Sequence, residues 1–118
     1  MTIAPRGRYA RVARTVVASC ASLEGFDLDD LADLRLLIDT AFQTLTEIGS
    51  GPVHIEVWSS DGVVVVVMSA EGRLGCHWTD PGMEPLEAIA SVVAVERMFE
   101  EVGDRLVMRT TVRSHGPG

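Results

Sequence analysis

Asp33–Ile48 reads DLRLLIDTAFQTLTEI. Leu34, Leu37, Ile38, Ala41, Phe42, Leu45 and Ile48 recur at three- and four-residue intervals, which gathers them on one face of a helix. Asp27 precedes this run with further acids behind it, the pattern of an N-cap followed by a first turn that suits the helix dipole. Gly49, Gly51 and Pro52 close it. Beside the apolar face stand two polar pairs at i, i+4 spacing: Thr40 with Thr44, and Asp39 with Gln43. Taken alone, such a set is the solvated side of an amphipathic helix.

The flanking segments place this helix in a layered fold. Arg8–Leu23 carries Tyr9, Val12, Ala13, Val16, Val17, Cys20 and Leu23 at helical spacing and ends at Gly25. Val53–Ser59 alternates, with Val53, Ile55 and Val57 on one side and His54, Glu56 and Trp58 on the other, as a half-buried strand does. Asp61-Gly62 is a two-residue hairpin turn, and the β-branched run Val63–Met68 is its partner strand. Glu71–Glu84 holds four glycines or prolines and reads as a loop. The apolar spacing of Leu86–Val102 predicts a third helix, Leu106–Val112 a final strand, and residues 114–118 a frayed tail. A short first strand is expected at Thr2–Ala4. The order α-α-β-β-loop-α-β predicts one α+β domain over 1–118, a two-layer α/β sandwich with helices on one face of a mixed sheet.

Composition narrows the chemistry. The chain of 118 residues has a net charge of −7 and no basic footprint, so direct nucleic-acid binding is not expected. All ten basic residues are arginine, which removes a Walker lysine, a Schiff-base lysine and a lysine nucleophile. Cys20 and Cys76 match no metal or disulfide spacing, and a cytoplasmic protein is expected. His54, His77 and His115 share no catalytic spacing, and Cys76-His77 lacks the further ligands of a metal site. No apolar run is long enough to span a bilayer, so no membrane role is expected. Trp58, and Arg11 with Arg14 in the arginine-rich first helix, are candidate contacts for a protein partner, against the commoner reading of packed or solvated surface residues.

The segment RYARVARTVVASCASLEGFDLDDLADLRLLIDTAF, with the closing RTTVR, resembles the anti-sigma serine kinases of the histidine-kinase-like (GHKL) ATPase superfamily. The resemblance covers nearly the whole chain and implies their Bergerat-type α/β sandwich. Their nucleotide-box helix follows a pattern close to D-L-x-L-x-x-x-E-x-x-x-N, in which the Glu is general base and the Asn organises magnesium. Here Thr40 stands at the Glu position and Thr44 at the Asn position; a threonine hydroxyl is neither a base near neutral pH nor a usual magnesium ligand. A one-residue register shift offers Asp39 and Gln43 as displaced base and metal ligand. The family's D-x-G-x-G box aligns with Ala70 at the adenine-accepting Asp, Gly72 at the first glycine and Leu74 at the second. Asp80 and Gly82 form an alternative D-x-G match. Thr110 and Thr111 match a pair that lies near adenine, and Ile89–Ser91 stands where a phosphate-cradling glycine box belongs.

The resemblance therefore implies a degenerate nucleotide site, no cofactor, and action by binding a sigma factor or an anti-anti-sigma protein, as a homodimer. Two alternatives stay open: an active Mg-ATP-dependent serine protein kinase, and a small-ligand module that reuses the emptied cleft.

Overall fold

The computed structural model describes residues 1–4, 9–72, Trp78 and 83–114. Its elements run β1 (Thr2–Ile3), α1 (Ala10–Ser22), α2 (Leu28–Ile48), β2 (Gly49–Ser60), β3 (Val63–Gly72), α3 (Glu84–Val93), β4 (Glu96–Val102) and β5 (Arg105–Arg113). The five strands form one sheet in the order β1-β2-β3-β5-β4. Every pairing in it is antiparallel, whereas a mixed sheet was expected. The helices cover one face, giving the two-layer α/β sandwich.

The central helix forms for the reasons its sequence suggests. Asp27 caps it with extended backbone and accepts from the Asp30 amide at 2.8 Å, while the Asp30 carboxylate accepts from the Asp27 amide at 3.1 Å. This reciprocal capping box satisfies donors that a helix start otherwise leaves unpaired. Leu34, Leu37, Ile38, Phe42 and Leu45 then pack on Val53, Ile55, Val64, Val66, Met68, Leu106 and Met108. Ala13, Val17 and Ala21 of α1 and Leu86 and Ala90 of α3 complete the core.

The β2–β3 hairpin turns at Asp61 (φ 51°) and Gly62 (φ 78°), both left-handed as a type I′ turn requires. In β3 the side chains alternate: Val64, Val66, Met68 and Ala70 are buried under the helices, while Val63, Val65 and Val67 are half-buried on the outer face.

The third helix differs from expectation. It ends at Val93, and Glu96–Val102, expected to continue it, is strand β4, paired with β5 along its whole length. Ala94 takes extended backbone (ψ 139°), and Gly103 (φ 60°) turns the chain into β5. Val92, Val93 and Val95 are β-branched and favour strand over helix. Met98 and Phe99 are neighbours and fall on opposite faces of β4, so strand alternation does not show in the sequence.

Candidate functional site

Asp39 of α2 faces α1. Its Oδ2 accepts from Arg14 Nη1 at 3.3 Å and lies 4.0 Å from Arg35 Nε. Its Oδ1 is buried without a hydrogen-bond partner. Gln43, one turn on, donates through Nε2 to Glu47 at 3.1 Å on the exposed surface. Both residues line a cleft of about 500 Å3 between α1 and α2, with Ala10, Arg14, Phe42, Thr46 and Glu47.

At 100° per residue, Thr40 and Thr44 are turned about 100° around α2 from Asp39 and Gln43. The displaced pair Asp39 and Gln43 is thus not presented where Thr40 and Thr44 are. A one-residue shift along a helix rotates a side chain too far to substitute in the same cleft. Thr44 is 6% exposed, and its hydroxyl donates to the Thr40 carbonyl at 2.8 Å. The position matching the magnesium-organising amide therefore presents a methyl group and a hydroxyl closed onto its own helix.

The other matched positions behave similarly. Ala70, at the adenine acceptor, is fully buried on the inner face of β3. Gly72 ends β3, and its amide donates to the Asp104 carbonyl at 2.6 Å. A Cβ there would stand 3.2 Å from that oxygen, so the missing side chain serves the approach of the β4–β5 turn. Thr110 and Thr111 are consecutive in β5 and point to opposite faces. Thr110 is fully buried under the helices, while Thr111 lies on the outer face across from Val65, so the two cannot share one cleft. Leu74, Asp80 and Gly82 lie outside the described residues, as do His77 and Cys76.

Ile89–Ser91 sits inside α3, with Ala90 fully buried and the Ser91 hydroxyl donating to the Ala88 carbonyl at 2.7 Å. The start of α3 carries Glu84 and Glu87 in its first turn. Carboxylates there already complement the positive end of the helix dipole and repel a phosphate. Among the described residues no group of three or more His, Cys, Asp or Glu could hold a metal ion.

The candidate partner contacts fall on different surfaces. Arg11 is exposed on α1, and Arg14 is drawn into the ion pair with Asp39. Trp58 is 44% exposed on the outer sheet face, with the Arg109 guanidinium 5.5 Å from its ring centroid, a cation–π contact.

One feature is not legible as a site in sequence. Trp78, Met83, Glu84, Glu87, Ala88, Ser91, Arg97 and Phe99 line a groove of about 700 Å3 between α3 and β4. Trp78 stacks edge-on against Phe99 with centroids 5.0 Å apart, and its Nε1 donates to the Glu100 carbonyl at 2.6 Å. Arg97 pairs with Glu87 across the groove at 3.0 Å. Reading Phe99 as helical hides this, because only the strand places it on the helix side of the sheet.

No family model and no curated protein matches the sequence. Among solved structures the fold is similar to that of the histidine kinase AdeS from Acinetobacter baumannii, with a TM-score of 0.57 and 8% identity. The match covers 73% of this chain and 48% of that one, so this chain spans about half the length of that neighbour. No helix among the described residues is long and apolar enough to cross a membrane. At this identity the likeness speaks for architecture and not for activity. It bears out the expected architecture, a two-layer α/β sandwich whose fold is like that of this histidine kinase.

Proposed function

We propose that this domain is an anti-sigma-type regulatory protein that acts by holding a protein partner, with a nucleotide site that has lost its ligands. The observation that carries the proposal is Thr44. The residue matching the metal-organising amide is buried, and its one polar atom is engaged by the Thr40 carbonyl. The buried methyl of Ala70 and the carboxylates at the start of α3 support the same reading. The partner class, a sigma factor or an anti-anti-sigma protein, comes from the sequence resemblance.

Two titrations test the proposal. Calorimetry with Mg-ATP and Mg-ADP should give no binding, and melting should not shift. A nucleotide at a hundred times its dissociation constant would stabilise the fold by about 2.7 kcal/mol. Titration with purified sigma factors and anti-anti-sigma proteins of the source organism should give one saturable complex. Micromolar Mg-ATP affinity would overturn the degenerate-site reading in favour of a kinase. Silence toward every such partner would overturn the regulatory one.

The groove between α3 and β4 favours a second reading, a small-ligand module. Its volume and its mix of Trp78, Met83 and Phe99 with Glu84, Glu87 and Arg97 suit a small amphipathic molecule. Trp78 fluorescence in a Trp58→Phe background reports occupancy directly. A library screen that leaves this emission unmoved sinks the second reading.

A further inference from the structure

We infer that the groove between α3 and β4 is a site for a hydrophobic organic cation, an alkyl or arylalkyl ammonium with its charge at Glu84 and its apolar body against Trp78 and Phe99. This deepens the small-ligand reading above and rests on it; the regulatory reading does not enter.

The aromatic wall is preformed. Phe99 stands on the helix side of β4, and Trp78 meets it edge-on with ring centroids 5.0 Å apart. The indole is fixed by its Nε1–H, which donates to the Glu100 carbonyl at 2.6 Å, and by its backbone amide, which donates to the Glu101 carboxylate at 3.0 Å. Its polar atom is thus spent on the protein, and what remains for a ligand is ring surface. Both rings are only half-buried, although they line a groove of about 700 Å3. That volume lies in the range of small-molecule sites. An aromatic face is negative and attracts a cation held within about 6 Å of its centre.

The opposite wall supplies the charge. Glu84, Glu87, Ala88 and Ser91 recur at three- and four-residue spacing, which turns one face of α3 to the groove. Arg97 gives both Nε and Nη2 to one Glu87 oxygen, each at 3.0 Å, so these two side chains offset one another. Glu84 is exposed at the first residue of α3 and has no hydrogen bond or ion pair. The helix start adds about half a positive charge, less than the full negative charge of Glu84. The surplus in the groove is therefore negative. The chain as a whole carries −7, and that field draws cations toward it.

The other ligand classes use less of this lining. An anion would meet Glu84 and would have to draw Arg97 away from Glu87. A neutral apolar molecule gains the ring surface and nothing from Glu84. A metal ion finds no group of three or more ligating side chains among the described residues, and leaves the rings uncovered. An organic cation uses both walls at once: its charge meets the carboxylate and the ring faces, and its carbon body covers Trp78 and Phe99.

The test is a titration read by Trp78 emission in the Trp58→Phe protein and repeated by calorimetry. The probes share one arylalkyl body: phenethylammonium, neutral hydrocinnamyl alcohol and anionic hydrocinnamate. The ammonium should saturate the signal below about 10 mM. It should bind about fivefold or more tighter than the alcohol, and the carboxylate should bind weakest. Glu84→Gln, an exposed change that spares the fold, should weaken the ammonium about threefold and leave the alcohol unchanged. Glu56→Gln removes the same charge from the outer sheet face and should alter neither, which separates the groove from the overall field. If the alcohol or the carboxylate binds as tightly as the ammonium, the inference is overturned and the small-ligand reading stands. An ammonium preference that survives Glu84→Gln, or that Glu56→Gln lowers equally, overturns the assignment to this groove. Silence from all the probes also overturns the inference, and the library screen above then decides the small-ligand reading on its own.

Discussion

Thr44→Asn restores the letter that a magnesium-organising helix would carry, and the structure gives its consequence. Thr44 is 6% exposed, and its hydroxyl has one partner, the carbonyl of Thr40. An asparagine brings an acceptor oxygen and two N–H donors into the same space. That carbonyl can receive one donor, which leaves at least one buried amide atom unmatched. An unsatisfied buried polar group costs about 1–3 kcal/mol. For a domain of this size that is a fall in melting temperature of roughly 4–12 °C. Thr44→Val is the control. It keeps the branched shape and removes one hydroxyl together with its bond, so the change should stay within about 1 kcal/mol. Differential scanning calorimetry of the three proteins, with and without Mg-ATP, is the assay. If Thr44→Asn melts with the wild type and is then stabilised by Mg-ATP, the flank is open, solvated and competent for nucleotide. The argument for a closed site would be refuted.

Other outcomes follow from the same contacts. Asp27→Ala should lower stability by about 1–2 kcal/mol by removing half of the capping box, while Asp27→Asn should recover most of it, as urea unfolding will show. Arg14→Glu should lower the melting temperature, since it sets a carboxylate against Asp39, whereas Arg11→Glu on the exposed face of α1 should leave it unchanged. A double-mutant cycle on Arg14 and Asp39 should give a coupling below about 1 kcal/mol that shrinks with salt, because both side chains remain partly in water. Thr40→Glu combined with Thr44→Asn should yield no phosphorylation of a partner serine in a radiolabel assay, because Ala70 and the acidic start of α3 still offer nothing to hold a nucleotide.

The parts of the fold readable from sequence are those in which one local signal dominates. The apolar stripe of α2, the Asp27 cap and the Asp61-Gly62 turn each have a single physical solution, and each appears where expected. The segment after Val93 is different. Val92, Val95, Met98, Phe99 and Val102 satisfy helical spacing, while the β-branched valines among them favour strand. Pairing with β5 decides between them, and that partner is a long-range contact. The Gly103-Asp104 turn is the local clue, since a glycine first in a two-residue loop suits a hairpin. The candidate site was legible as a pattern of substitutions but not as a geometry. The Thr110–Thr111 pair parts across the sheet because strand side chains alternate. Asp39 is taken by Arg14, a residue 25 positions away that no spacing rule connects to it.

The order β1-β2-β3-β5-β4 also has a kinetic meaning. Asp61-Gly62 and Gly103-Asp104 close two hairpins whose strands are neighbours in sequence, so each can form early and alone. The seam between them is another matter: it joins Val63 to Arg113 and Glu71 to Arg105, across the whole of α3 and β4. Closing so long a loop costs entropy before any ladder bond repays it. The topology therefore predicts that docking of the two hairpins limits the folding rate, with β3 and its valine run as the template for the second half of the molecule.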